Sequence, residues 1–267
     1  MLTFWKHIIV LLFTVMANLS FVAGQSCSSS YFVKDLRINT PTANFLLPLP
    51  GGSTLLGGGS SLSLGAISLV KTRPDGEIVM HKSFALSQFS ASTKAVLSPD
   101  YKFVLAHGTA LAILDTNGVL ENAVRVAMTV NTTLLIDMKT DYQGNVLVLY
   151  ADYSGQPDQV TLLKFNPDLT SLVWTQQFSC YEGFMRSIAL DGDRVFIVGN
   201  YKSGAGDNSD GVIFQFRSVD GQYQGVRSYT LDGFITTLQT LHKSKDGYLL
   251  VGFYQPINAP FSVSTQV

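Results

Sequence analysis

The feature of this sequence that most constrains its fold is a pattern that recurs about every 48 residues. In each repeat, an apolar residue lies at the same place in a short run of β-branched, aliphatic and aromatic residues. From one repeat to the next, these apolar residues are 49, 43, 49 and 53 residues apart. These positions are Leu55, Val104, Leu147, Phe196 and Leu249. A period of this length predicts repeated supersecondary units that bury their apolar faces against one another.

Within each unit, short runs such as "LVLYAD" and "RVFIVG" have the alternating pattern of apolar residues that is typical of half-buried strands. The turns "PDG", "TNG" and "VDG" place glycine where a hairpin needs a positive φ. No helical period is found after the N-terminal segment. We therefore predict an all-β fold, a β-propeller of about five four-stranded blades spanning residues 46–267.

The glycine-rich stretch "GGSTLLGGGSSLSLG" at residues 51–65 belongs to this pattern. A phosphate-binding loop would continue into a helix, and a Walker loop would end in Gly-Lys-Ser/Thr, whereas the next lysine is Lys71. The interleaved leucines argue against a flexible linker. We predict a tight turn at Gly51 and Gly52, a strand over residues 54–56 and an exit loop over residues 57–59.

The two ends of the chain suggest how the ring closes. Residues 25–45 form an N-terminal segment whose "YFVKDLRI", residues 31–38, has the pattern of a strand. The last unit stops at "FSVSTQV" with one strand fewer than the others. We expect residues 31–38 to complete that blade. The alternative is a fragment of a propeller with six to eight blades.

A family resemblance adds to this pattern. "VTLLKFNPDLTSLVW", which contains Lys164 and Trp174, resembles the SBBP-type β-propeller repeat of secreted and cell-surface proteins, and "ISLVKTRPDG" is a looser match. Two other units depart from the motif, since Leu114 and Gln215 stand in place of the lysine. The resemblance implies a propeller and an extracellular location, and it carries over no catalytic residue.

The N-terminal residues 1–24 predict a cleaved signal peptide. Lys6 and His7 precede a ten-residue apolar core, and Val22 and Gly24 stand at −3 and −1 of a cleavage site before Gln25. The core is short for a membrane span, although a membrane anchor is the alternative. We expect a secreted or extracellular protein with no membrane span after cleavage.

The net charge limits the kinds of partner that we expect, and the two cysteines raise the question of a disulfide. Cleavage removes Lys6 and leaves 17 lysines and arginines against 19 acidic residues. With no basic surplus, nucleic acid is not an expected partner. Cys27 and Cys180 form an even pair that a secreted protein can join in a disulfide, and two separate thiols are the alternative.

The sequence contains few motifs typical of catalytic or metal-binding sites. We predict no catalytic residue, no cofactor and no metal site apart from one weak candidate for calcium. The weak candidate for calcium is Asp207, Asn208 and Asp210 in the loop "SGAGDNSDG", because calcium binds clustered oxygen ligands; an ordinary connector is the alternative. Asn131 begins an "NTT" glycosylation sequon. Histidines 81, 107 and 242 lie in different units, and His107 ends what we interpret as an inner strand.

Three tyrosines recur at one place in the repeat. Tyr153, Tyr201 and Tyr254 lie at or just past the end of equivalent strands, which predicts a rim that contacts sugars or protein loops. The sequence thus predicts a binding module whose partner is an extracellular protein or carbohydrate, without evident catalysis. The alternatives are an enzyme acting on glycans or small esters at the central channel, and a truncated propeller copy.

Overall fold

Regular structure in this chain is almost entirely β-strand. The computed structural model describes residues 44–59, 66–85, 92–128, 133–155, 157–202, 209–256 and 265–266. A single 3-10 turn, Pro50–Gly52, accompanies the strands in these ranges. The strands are β1 (Phe45–Pro48), β2 (Thr54–Gly59), β3 (Ala66–Thr72), β4 (Ile78–Ala85), β5 (Thr93–Leu97), β6 (Phe103–His107), β7 (Ala110–Leu114), β8 (Leu120–Arg125), β9 (Thr133–Thr140), β10 (Val146–Asp152), β11 (Asp158–Phe165), β12 (Leu172–Asp191), β13 (Arg194–Lys202), β14 (Asp210–Arg217), β15 (Tyr223–Tyr229), β16 (Phe234–Ser244), β17 (Gly247–Pro256) and β18 (Thr265–Gln266).

The strands form a succession of antiparallel meanders in which each strand pairs with the next along the chain. Blade 1 is β1 to β4 and blade 2 is β5 to β8. Blades 3 and 4 share the 20-residue strand β12, whose residues 172–180 pair with β11 and residues 181–191 with β13. Blade 5 is β16 to β18. The fold is an all-β propeller, as the repeat predicts.

The predicted repeat positions are structurally equivalent. Leu55, Val104, Leu147, Phe196 and Leu249 all lie in the second strand of their blade, in β2, β6, β10, β13 and β17. The hairpin turns after the third strands have the predicted glycines at positive φ, 81° at Gly76, 72° at Gly118 and 74° at Gly221. The sequence period therefore follows the strands of the blade.

Strand register corrects one alignment within the repeat. Lys71 pairs with Leu55, Lys164 with Leu147 and Gln215 with Phe196, so these three occupy one position of the third strand. In blade 2 the residue opposite Val104 is Ile113, and Leu114 pairs with Phe103. Ile113, rather than Leu114, therefore stands where blades 1 and 3 have lysine. With this alignment the turn glycine Gly118 follows Ile113 by five residues, as Gly76 follows Lys71.

The glycine-rich stretch also differs from expectation at one point. The turn at Gly51 and Gly52 is confirmed by φ values of 74° and 77°. However, Gly57 lies inside β2 rather than in an exit loop, and a Cβ there would come within 2.4 Å of the Phe45 ring and 2.8 Å of Leu69. Glycine is needed at this position because the inner strand β1 lies so close.

The described residues form four apolar core layers, one between each pair of successive blades. The largest layer lies between blades 3 and 4, and contains Leu147, Val160 and Trp174 against Met185 and Val195. A sheet of three or four strands cannot bury its own apolar faces, so each face is covered by the neighbouring blade. This packing fixes the angle between adjacent blades and leaves grooves where their outer strands diverge.

Polar contacts join the inner strands of neighbouring blades. The hydroxyl of Ser92 donates to the carbonyl of Leu135 at 2.8 Å, and Thr140 donates to the carbonyl of Leu97 at 2.9 Å. The carboxylate of Asp137 in β9 accepts the amide of Ile188 in β12 at 2.8 Å. These contacts satisfy backbone groups on strand edges that have no further strand to pair with.

Several predictions fall on residues outside the described ranges: the signal peptide of residues 1–24, the ring-closing strand of residues 31–38, and the sequon at Asn131. They stay predictions. Among the described residues no helix is long and apolar enough to cross a membrane.

Candidate functional site: a groove between blades 2 and 3

The principal groove of interest lies where the outer strands of blades 2 and 3 diverge, and its volume is about 600 Å³. Blade 2 contributes the end of β8 and the residues that follow it. Blade 3 contributes one face of β11 and of the first half of β12. Residues of β9 and β10 complete the blade 3 side. The lining residues of blade 3 are Thr133, Tyr150, Asp152, Gln159, Thr161, Leu163, Phe165, Leu172, Thr175 and Gln177.

The groove surface follows from the alternation of residues along two paired strands. Leu163 lies opposite Thr175, and Thr161 lies opposite Gln177. Because side chains alternate between the two faces of a sheet, these residues share the face toward blade 2, whereas Trp174 on the other face packs toward blade 4. The result is an apolar floor near Leu163 bordered by hydroxyl and amide groups.

Hydrogen bonds fix the upper end of the groove. The amide of Gln159 donates to the hydroxyl of Ser179 at 2.8 Å. Tyr150 is fully buried below, and its hydroxyl donates to the carbonyl of Gly108 in blade 2 at 3.1 Å. Burial raises the pKa of Tyr150 far above its ordinary value, so this hydroxyl stays protonated and acts as a donor. Blades 2 and 3 are thus held together at the base of the groove.

The polar groups that β11 and β12 contribute to the groove are neutral. Arg125 of β8 and Asp152 of β10 add one cation and one carboxylate to the lining, and each of them already has an interaction partner. Thr161, Thr175 and Gln177 supply hydroxyl and amide groups that both donate and accept hydrogen bonds. Across the described part of the chain, no three His, Cys, Asp or Glu side chains are grouped so as to hold a metal ion. The arrangement is suited to binding a polar ligand through several hydrogen bonds.

A buried ion pair on the opposite face of β11 holds this strand in place. The ammonium of Lys164 lies 2.8 Å from a carboxylate oxygen of Asp141, and both side chains are at least 96% buried. The same ammonium donates to the carbonyl of Ser218 at 2.8 Å, and Trp174 also donates to that carbonyl at 2.9 Å. Burial acts to raise the pKa of Asp141, but hydrogen bonds from Lys164 and Asn145 outweigh it and hold this pKa below its ordinary value.

Sequence analysis identified Lys164 and Trp174 only as motif residues. Their shared partner Ser218 lies in the next blade, and Asp141 lies in the preceding hairpin of the same blade. One feature of the sequence could have indicated this ion pair, namely a lysine between leucine and phenylalanine in a predicted strand. A lysine in that setting needs a buried carboxylate.

The three tyrosines predicted to form a rim do lie at the same end of equivalent strands, but each is only partly exposed. Tyr153 packs on Phe184 with ring centroids 5.2 Å apart, and Tyr254 packs on Phe234 at 5.1 Å. Tyr201 lies 6.1 Å from Phe214. The rings of Tyr201 and Tyr254 therefore contribute to packing within their blades, and the ring of Tyr153 contributes to packing between blades 3 and 4. A binding role for the three tyrosines stays a prediction.

Cys180 lies beside Tyr153, is buried, and forms no disulfide within the described part of the chain. Burial and the nearby carboxylate of Asp158 raise the pKa of this thiol to about 11. Burial likewise raises the pKa of Tyr153 to about 12. Cys27, the predicted disulfide partner of Cys180, lies outside the described residues, so the pairing stays a prediction.

The remaining candidates do not converge on one site. Asp210 is the first residue of β14, while Asp207 and Asn208 of the calcium candidate are outside the described residues. His107 ends β6, which is a second strand and not an inner one, and its ring nitrogen Nδ1 lies 2.9 Å from the hydroxyl of Thr93. This histidine is buried, and it lines a cavity together with Phe84 of blade 1.

Comparisons with known proteins give no closer definition of the site. No protein-family model matches this sequence, and no curated protein matches it. A protein of unknown function from Bacteroides caccae matches at 12% identity with a TM-score of 0.49, covering 79% of this chain and 72% of the other.

Two further solved structures are similar at the same level. The calcium-binding protein regucalcin from Agrobacterium tumefaciens is 11% identical with a TM-score of 0.48, over 85% of this chain and 75% of the other. A gluconolactonase from Xanthomonas campestris is 11% identical with a TM-score of 0.46, over 82% and 71%. At TM-scores below 0.5 these likenesses carry no argument about function.

Proposed function

We propose that this protein is a secreted binding module that holds a neutral carbohydrate chain in the groove between blades 2 and 3. The observation that carries the proposal is the surface that β11 and β12 present to the groove, in which neutral hydroxyl and amide groups border an apolar floor. The one cation and the one carboxylate of the lining, Arg125 and Asp152, balance in charge. Ligand sites commonly combine an apolar surface with a few fixed polar groups that set orientation.

The chemistry of a sugar ring fits this surface. Each ring presents hydroxyls that donate and accept, and these match the side chains of Thr161, Thr175 and Gln177. Its C–H faces match the apolar floor at Leu163 and Phe165. The wall is part of a paired sheet anchored by the buried Lys164, so little conformational entropy is lost when a ligand binds.

Secretion is the second part of the proposal, and it is supported by the signal-like residues 1–24. Protein recovered from the medium of expressing cells tests it directly. We expect its N-terminal residue to be Gln25, whereas retention in the membrane fraction with an intact N-terminus would favour the anchor.

Carbohydrate binding is tested with the secreted protein on a panel of neutral oligosaccharides, followed by calorimetry of any sugar that binds. We expect Gln177→Ala and Thr161→Val each to weaken binding by about two- to tenfold, the usual effect of losing one hydrogen bond. Gln176→Ala is the matched control, since this neighbouring glutamine points to the opposite face of β12. Failure of every neutral sugar to bind, or equal losses in Gln176→Ala and Gln177→Ala, would reject the proposal.

A further inference from the structure

A second groove lies between blades 4 and 5, and its described lining contains two arginines and no carboxylate. Its volume is about 510 Å³. Blade 4 contributes residues of β13, β14 and β15, and the described part of blade 5 contributes residues of β16 and β17. Its polar lining is Arg194, Gln215, Gln224, Arg227, Tyr229 and Tyr248.

Strand register brings the polar groups of blade 4 together on one face. Arg227 lies opposite Ile213, and Tyr229, two residues further along β15, lies opposite Gly211. Gln215 lies opposite Gly225, where a Cβ atom would meet nothing within 4 Å. The glycine therefore leaves open space in the floor between the amide of Gln215 and the guanidinium of Arg227.

The two arginines of this groove have different environments. Arg194 is already engaged, with its guanidinium 2.5 Å from Asp191 and close to the rings of Phe196 and Tyr248. Arg227 is exposed and has no hydrogen bond or ion pair within the described part of the chain. A guanidinium that faces a groove without a counter-charge attracts an anion, and its planar fork matches a carboxylate.

We propose that this groove binds the carboxylate of an acidic sugar, such as a uronic or sialic acid residue, through Arg227. The amide of Gln215 and the hydroxyl of Tyr229 lie where they can bond ring hydroxyls next to that carboxylate. Tyr248 and Leu250 of blade 5 form the opposite wall and cover a face of the ring. This site is separate from the groove between blades 2 and 3, and it does not depend on that groove binding a neutral sugar.

An acidic sugar fits this groove better than an acidic peptide does. Several groups beside Arg227 are neutral amides and hydroxyls. Among the described lining residues, the only other cation is Arg194, which is paired with Asp191, so no second unpaired cation is there to hold a run of carboxylates. One wall has the apolar and aromatic surface of Tyr248 and Leu250. A single carboxylate attached to a hydroxyl-rich ring matches this combination of one cation, neutral donors and an apolar wall.

The test uses the full chain as secreted and calorimetry with tri-galacturonic acid, its methyl ester, glucuronic acid, N-acetylneuraminic acid and a triglutamate peptide. We expect at least one of the three acidic sugars to bind. For tri-galacturonic acid, the methyl ester should bind about tenfold or more weakly because it has lost the charge. Arg227→Met should cause a similar loss for the acid while leaving the melting temperature unchanged, and Arg227→Lys should recover part of it.

Arg217→Met serves as the matched control, because Arg217 ends β14 but pairs with Asp220 and does not line this groove, so the variant should leave acidic-sugar binding unchanged. Arg227→Met should in turn leave neutral-sugar binding between blades 2 and 3 unchanged, so the two proposals can fail separately. The inference is overturned if none of the acidic sugars binds, if the ester binds as well as the acid, if Arg227→Met has no effect, or if triglutamate binds more tightly than the sugars.

Discussion

Lys164 and Lys71 occupy the same position of the repeat but have different surroundings. Both donate to a carbonyl in the next blade, Lys164 to Ser218 at 2.8 Å and Lys71 to Thr116 at 3.3 Å. Lys164 alone is fully buried and paired with a carboxylate, that of Asp141. A buried charge that loses its partner lowers the stability of the folded state far more than an exposed charge does. The two positions should therefore respond differently to the same substitution.

We expect Lys164→Met to lower the free energy of unfolding by about 3–5 kcal/mol, because it leaves the carboxylate of Asp141 buried without its counter-ion. Urea unfolding followed by tryptophan fluorescence measures this, since Trp174 shares the Ser218 carbonyl. Lys71→Met is the control and should change stability by less than about 0.5 kcal/mol. Adding Asp141→Asn to Lys164→Met should recover part of the loss, and equal effects of the two lysine substitutions would contradict this account.

At the scale of elements, β12 is unusual because it belongs to two blades. Its two halves meet near Gly183, whose amide donates to the carboxylate of Asp158 at 3.0 Å. A Cβ atom at Gly183 would lie 2.5 Å from the sulfur of Cys180 and 3.3 Å from the carbonyl oxygen of Asn200. Position 183, where β12 passes from blade 3 to blade 4, therefore has no space for a side chain.

Gly183→Ala should lower the free energy of unfolding by about 1–3 kcal/mol, the usual cost of overpacking a core. Differential scanning calorimetry of the variant measures the effect as a lower melting temperature. Cys180→Ala in the same chain removes the closest atom and should restore part of the stability. In contrast, Gly155→Ala has its nearest neighbour at 3.8 Å and should have little effect; a comparable loss there would show that crowding at Gly183 is not the cause.

The second and third strands and their hairpins were predictable from sequence because they have strong local signals. Leu147 and Phe196 open alternating runs, and glycines such as Gly221 mark the turns. The inner strand β1 was missed because its four residues, "FLLP", are too short to show alternation. The grooves could not be predicted either, since each is formed by side chains of two blades, as with Tyr248 and Arg227.

For the whole molecule, contacts between blades follow chain order. The inner strands meet in the order β1, β5, β9, β12 and β16. In such an arrangement the stability of each unit depends on its own packing and on its neighbours, so a change at one interface need not spread along the chain. The interface between blades 4 and 5 offers a test, because it has a small apolar layer and a polar cluster centred on Asp191.

Asp191 at the end of β12 accepts hydrogen bonds from Lys243 and Tyr248 of blade 5 and from Arg194 of its own blade. The bonds from Lys243 and Tyr248 lower the pKa of Asp191 to about 2. Because this value lies below the ordinary pKa of about 3.9, the ionised group stabilises the folded state above pH 4. That contribution is lost as the pH falls from about 4 through about 2.

We therefore expect Asp191→Asn to lower the melting temperature at pH 6, and we expect the difference from the natural sequence to shrink as the pH falls from 4 to 2. At pH 6, hydrogen exchange followed by mass spectrometry should show faster exchange in β16 and β17 and unchanged exchange in β5 to β8, because only the interface with blade 5 is weakened. Asp220→Asn is the control: Asp220 also has a pKa lowered to about 2, by Arg217, but it bonds only within blade 4. Faster exchange in all blades of the Asp191 variant would mean that the propeller unfolds as one cooperative unit and that its blades are not separable in stability.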